Sequence, residues 1–160
     1  MALWLFRLPQ KSFTNVPCLT QKRSAHSDPE ISAVQPSPYT FVCLLKACGN
    51  ISDVEEGMKL HMDAEERGFT PDVYVGSTLV SMYGKCGCLE DARIVFDTAS
   101  QEDVISWNSM ISMYSYNGCE TQALKCFYQM YQNGVIPNRV TYISILSLCM
   151  NTSSKRNNPQ

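Results

Sequence analysis

Residues Val104–Asn138, VISWNSMISMYSYNGCETQALKCFYQMYQNGVIPN, carry two amphipathic helical patterns and their punctuation in 35 residues. A hairpin of that length cannot bury both of its apolar faces by itself, so the chain must supply neighbours of the same kind. Trp107, Met110, Ile111 and Tyr114 fall at i, i+3, i+4 and i+7, and Ala123, Leu124, Phe127, Met130 and Tyr131 repeat the spacing beyond Asn117-Gly118. The pattern predicts helices over Ser106–Tyr116 and Thr121–Gln132, the second ended by Gly134 and Pro137.

The neighbours are present. Stepping back 31 residues places Leu79, Tyr83, Gly87, Ala92 and Phe96 under Met110, Tyr114, Gly118, Ala123 and Phe127. A further 35 places Phe41 under Gly76, Leu44 under Leu79 and His61 under Phe96. Stepping forward 35 from the central unit starts another first helix at Tyr142, Ile145, Leu146 and Cys149. The array then reads 38–72, 73–103, 104–138 and a partial unit 139–150. Chain length therefore counts repeats, each sharing a core only with its neighbours, and does not measure one globular core.

The flanks differ in composition. Met1–Ser27 holds four basic residues, many Ser and Thr and no acidic residue, which is transit-peptide composition, and its apolar run Ala2–Phe6 is too short for a membrane span. The start ALWLFRL and the processing-like Arg23-Ser24-Ala25 favour a mitochondrial destination, with the chloroplast as the alternative. Residues 28–37 read as a linker, and 151–160, NTSSKRNNPQ, as a disordered tail. Without the first 27 residues, nine Lys and Arg stand against 15 Asp and Glu, a charge of −6. Such a balance excludes a grip on DNA or RNA made mainly through phosphates, and leaves base edges and stacking.

Within the first repeat, a helix over Thr40–Cys48 should present Phe41, Leu44, Leu45 and Cys48, and a second should open at a capping box of Ser52 and Glu55. Val54, Gly57, Met58, His61 and Ala64 form its inner stripe, so His61 reads as a packing residue where the next repeats have Phe96 and Phe127. In the second repeat Leu89, Ala92, Val95, Phe96 and Ala99 should face inward. The dispersed cysteines make no C-x-x-C and suit no common metal site, so they read as buried packing thiols. No cofactor is implied. With only His26 and His61, no H-x-E…P-C-x-x-C and no phosphate loop, no catalytic constellation is legible and the chain is not expected to be an enzyme.

These residues carry a resemblance. TFVCLLKACGNISDVEEGMKLH with ERGFTPD, DVYVGSTLVSMYGKCGCLEDARIVFD, and VISWNSMISMYSYNGCETQALKCFYQM with NGVIPN resemble the long, short and standard repeats of plant pentatricopeptide repeat proteins of the class that alternates the three. The resemblance, over 38–150, implies an all-α, right-handed superhelical solenoid of helix-turn-helix repeats that binds single-stranded organellar RNA. It also implies a place in transcript processing or C-to-U editing beside other repeat or editing-complex proteins, and neither membrane nor DNA as partner.

Such proteins read one base per repeat with a residue on the first turn of helix one and the last residue of the repeat. The resemblance thus implies base-reading pairs Ser77 with Asp103 and Asn108 with Asn138, and Val42 with Asp72 for the first repeat, where Val42 cannot hydrogen-bond a base. It implies Tyr39, Tyr74, Ile105 and Val140 as residues that pack on the bases. The family pattern implies guanine for the Ser77 pair and cytosine over uracil for the Asn108 pair, consistent with a hydroxyl plus a carboxylate and with two amides. Three repeats and a stub are fewer than such factors ordinarily have. At about 1–3 kcal/mol gross per stacked base, three bases imply millimolar to weak micromolar affinity. A protein-interaction scaffold and a remnant without independent activity are the alternative readings. The apolar stub, with no second helix after it in this sequence, predicts marginal stability, self-association or the need for a partner solenoid.

Overall fold

The computed structural model describes residues 36–99 and 103–156, and the expected transit segment 1–27, most of the linker and the last residues of the tail lie outside these. Among the described residues seven helices follow one another: α1 Pro38–Ile51, α2 Val54–Glu66, α3 Val73–Lys85, α4 Leu89–Thr98, α5 Val104–Tyr116, α6 Glu120–Gln132 and α7 Arg139–Arg156. Among the described residues there is no strand. The fold is an all-α helical repeat solenoid. Its odd-numbered helices stack side by side as α1–α3–α5–α7, while each of α2, α4 and α6 packs on the first helix of its own hairpin and of the next.

Packing between first helices is a knob in a socket. A Cβ at Gly84 would overlap the Met113 side chain, and one at Gly49 would lie 3.2 Å from the Met82 Cα. Gly49 and Gly84 hold the same place in successive repeats, as do Met82 and Met113, and both glycines admit a close helix approach, Gly84 against the Met113 side chain and Gly49 against the Met82 backbone, with the Met82 sulfur turned to Gly57 on α2. Met82 and Met113 are buried, and each such burial contributes on the order of 1.5–3 kcal/mol.

A second device joins each second helix to the following hairpin. Phe96 meets Trp107 edge to face at 5.0 Å between ring centres, and Phe127 meets Tyr142 at 6.2 Å. At the first junction the partner place is Gly76, which offers no ring. His61 instead reaches Tyr83, with Nδ1 and the phenol oxygen 3.0 Å apart. His61 is thus the packing residue expected, with one polar contact its phenylalanine counterparts lack.

Several sequence expectations change in detail. Ser52 does not open α2. It sits after α1 with φ 56, in the left-handed position that Gly87 fills with φ +78 one repeat later, and Asp53 N–H donates back to Cys48 O at 3.0 Å. The cap of α2 is Asp53, whose carboxylate accepts from Glu56 N–H at 3.1 Å. The capping box lies at Ser37 and Thr40. On α6 the buried stripe is Ala123, Cys126 and Met130, whereas Leu124 and Tyr131 are exposed. On α1 Val42 is buried and Leu44 exposed, because the neighbouring first helix and not the second helix covers that side. Cys43 and Cys149 are exposed, contrary to the expectation of buried thiols, while Cys126 is buried and its thiol is pushed up to about 12 by that burial. The helix expected to end near Met150 continues to Arg156, so the disordered tail expected from 151 does not begin there. Nothing between Asn151 and Arg156 breaks a helix, as Pro159 comes later, and adding residues to an existing helix is far easier than nucleating one.

Two outcomes follow. Ser52→Gly relieves the left-handed strain of an L-residue at a modest entropic cost in the unfolded chain, so it should raise stability by about 0.5–1 kcal/mol in urea denaturation. Burial lowers the His61 pKa from its ordinary value, against the opposing pull of Glu65 and Asp91. The unfolded chain therefore takes up this proton first as pH falls through about 6.5, so the stability contributed by neutral His61 is present above that pH and lost below it. Lowering pH from 7.5 to 5.5 should depress Tm more in the wild type than in His61→Phe, a difference that leaves out His26, common to both. Equal depression would show that His61 carries no such linkage.

Candidate nucleic-acid interface

The stacking of first helices lines up their N-termini, and the residues that the resemblance implies as base readers and base-packing residues fall at fixed places there. Asp72 and Asp103 cap α3 and α5, and Asn138 precedes α7 in the same role. Tyr39, Tyr74, Ile105 and Val140 are the second residue of each first helix, and Val42, Ser77 and Asn108 are the fifth. Second and fifth positions are i and i+3, neighbours on one helix face.

That face borders a groove of about 510 Å³ lined by Val42, Lys46, Tyr74, Ser77, Thr78, Ser81, Gly84, Lys85, Ile105, Asn108, Ser109, Ser112, Met113, Tyr116 and Val140. Six of the ten expected site residues meet there. Tyr39 is largely exposed outside its lining, and Asp72, Asp103 and Asn138 stand at the helix starts, also outside it, with Asp103 lining a separate hollow beside Asn133 to Ile136. Tyr74 and Val140 are exposed, whereas Val42 is buried in the groove floor, apolar and without a hydrogen-bonding group for a base.

The capping residues have a structural task as well. Asp72 Oδ1 accepts the N–H of Tyr74 at 2.9 Å and of Val75 at 3.0 Å, and Asp103 Oδ1 accepts that of Ile105 at 2.7 Å. Each such cap contributes on the order of 1 kcal/mol to its helix. Ser77, in the groove lining, donates its Oγ–H to Tyr74 O at 3.2 Å, so its proton is engaged and its lone pairs are left as acceptors. Of the three expected reading pairs, one is joined directly: Asn108 Nδ2 donates to Asn138 Oδ1 at 3.1 Å.

Sequence reasoning missed the length of the groove. Ser77, Ser81 and Lys85 on α3, like Asn108, Ser112 and Tyr116 on α5, recur every four residues and line it from end to end. The signal was available as a small and polar stripe on each first helix, beside the apolar one. Lys46 and Lys85 are the charged residues of the lining, and Lys85 Nζ donates to Asn50 Oδ1 at 2.6 Å across the α1–α3 junction. Among the described residues no three His, Cys, Asp or Glu side chains form a group that could hold a metal ion.

Fold and groove define a helical-hairpin solenoid with an open groove along its row of first helices. The models of the PPR repeat match residues 39–69 and 77–102, and the model of the PPR repeat family matches 102–151. An Arabidopsis thaliana pentatricopeptide repeat-containing protein is 43% identical over 120 residues, which are 75% of this chain and 16% of that one. Another, named chloroplastic, is 45% identical over 114 residues, 71% of this chain and 22% of that one, and a third, named mitochondrial, is 41% identical over 116 residues, 72% and 16%. The crystal structure of the pentatricopeptide repeat protein PPR10 from maize superposes with a TM-score of 0.57 at 22% identity, over 80% of this chain and 21% of that chain. The chain belongs to the pentatricopeptide repeat family of plants. It spans about a sixth to a fifth of the length of these relatives.

Proposed function

We propose that this chain binds single-stranded RNA along the α1–α3–α5–α7 groove, one base per repeat, in an organelle. There it selects a site for transcript processing or C-to-U editing whose chemistry is supplied by other proteins. The repeats are read as the long, short and standard variants of the alternating subclass. The observation that carries the proposal is the gathering of Val42, Tyr74, Ser77, Ile105, Asn108 and Val140 on the lining of one groove. Relatives named chloroplastic and mitochondrial support an organellar setting, and a mitochondrial destination rests on the composition of Met1–Ser27.

The chemistry at each pair supports a preference. Asp103 caps α5 with one oxygen and keeps the other as an acceptor, and Ser77 offers lone pairs, so the pair suits the N1–H and N2–H2 donors of guanine. Asn108 and Asn138 carry amides that can donate to the N3 and O2 acceptors of cytosine. Tyr39 and Tyr74 offer rings for stacking, with Ile105 and Val140 as aliphatic counterparts. Lys46 and Lys85 give the groove the positive charge that the acidic chain otherwise lacks.

A protein-interaction scaffold is the second reading, favoured by the exposed Leu124, Tyr128 and Tyr131 on α6, which could meet another repeat or editing-complex protein. Competition among sixteen RNAs varied at two adjacent bases separates the two. The RNA reading expects guanine followed by a pyrimidine in the 5′ to 3′ direction, and equal binding of all sixteen would remove the four paired residues as readers. Asn138→Asp keeps the acceptor that Val140 and Thr141 N–H need but replaces the outward amide nitrogen with an oxygen. Uracil, which presents N3–H, should then gain on cytosine by about 1–2 kcal/mol in the same competition.

A further inference from the structure

One buried hydroxyl in the last junction belongs to neither member of a reading pair. Thr141, on α7 and fully buried, accepts the N–H of Asn138 on Oγ1 at 3.1 Å. Its single proton goes to Asn108 Oδ1, 2.5 Å away across the repeat boundary, in preference to Asn138 Oδ1 at 3.3 Å, because the first contact is much the shorter. The orientation of both amides follows from these contacts. Asn138 must turn its oxygen to the backbone, because it receives the N–H of Val140 at 2.9 Å and of Thr141 at 3.2 Å. Asn108 must turn its nitrogen to that oxygen and its own oxygen to Thr141. What remains for a ligand is the second proton on Asn108 Nδ2 and the two on Asn138 Nδ2, all donors.

We infer that Thr141 is a positioning residue that fixes the amide of Asn108, so that the base preference of this repeat is set by three residues, the third contributed by the following repeat. The inference rests on the RNA-reading function proposed above. The residue types at the other junctions follow the same pattern. The places equivalent to Thr141, third in α3 and third in α5, hold Val75 and Ser106, both buried. An apolar Val42 is thus followed by an apolar Val75, a hydroxyl-bearing Ser77 by the hydroxyl of Ser106, and the amide of Asn108 by a threonine that can donate to it. A locked donor set matches the N3 acceptor of cytosine and mismatches the N3–H of uracil. Freed from Thr141, the amide of Asn108 is held only by its bond to Asn138 Oδ1, and once that single bond opens its oxygen can turn outward and accept that N3–H.

The test uses the full 160-residue chain, its Thr141→Val and Thr141→Ser variants, and two fluorescein-labelled RNAs that differ only by C or U at the nucleotide facing Asn108, titrated by anisotropy to high protein concentration. Wild type and Thr141→Ser should prefer cytosine by about 5-fold or more, on the scale of a single base mismatch, and Thr141→Val should bind the two within about 2-fold. The C-to-U ratio does not depend on the fraction of protein that is folded, so mere destabilisation would weaken both RNAs and leave it unchanged. An unchanged ratio in Thr141→Val overturns the inference and leaves RNA reading standing, whereas absence of binding by the wild type overturns both. Should Thr141→Val fail to fold, the wild type decides by NMR: the side-chain amide protons of Asn108 should exchange with solvent at least 10-fold more slowly than those of exposed Asn133. Equal exchange would overturn the locked orientation.

Discussion

The structure depends on the burial of one first helix against the next. No hairpin here can cover both of its faces, so the close approach of α3 to Gly49 at Met82 and of Met113 to Gly84 is what turns a series of hairpins into one body. The contact also sets the distance between first helices, because a side chain on either glycine would push the neighbouring helix away. Once that spacing is fixed, the N-terminal turns of α1, α3, α5 and α7 stand in a row and the groove follows without further design.

The same helix starts carry two loads. An N-cap must present an oxygen to backbone N–H groups, and Asp72, Asp103 and Asn138 each do so. The cap leaves one further group on each side chain, a second carboxylate oxygen or an amide nitrogen, at the edge of the groove. Folding thus decides which atom of a recognition residue is offered outward. Replacing aspartate by asparagine at such a place keeps the cap and changes the offered group from acceptor to donor, so specificity can vary at little cost in stability.

Much of this was legible in the sequence because helical periodicity and the 31- and 35-residue spacings report burial and repetition directly. The hairpins and the packing role of His61 follow from them, whereas the six expected residues that meet on one groove were implied by the family resemblance. Local readings failed where two structures share the same residues. Ser52-Asp53-Val54-Glu55 has the look of a capping box, yet Ser52 is taken by the left-handed end of α1 and Asp53 takes over the cap. Leu124 and Tyr131 fit the apolar period of α6 but lie outside, since α6 has only its own hairpin and α7 to lean on, and Cys126 is the residue turned inward. The contact of Thr141 with Asn108 could not be read at all, since it depends on two side chains 33 positions apart meeting across a junction.

The central claim is that the row of first helices, and not the outer layer, is the binding surface. Backbone 15N chemical shifts of the labelled chain, followed during titration with a short single-stranded RNA carrying guanine before cytosine, test it most directly. The account predicts that shifts concentrate at Tyr74, Ser77, Ile105, Asn108 and Asn138, with α2, α4 and the outer face of α6 unmoved. Shifts centred on Leu124, Tyr128 and Tyr131, or spread evenly over both layers, would contradict it.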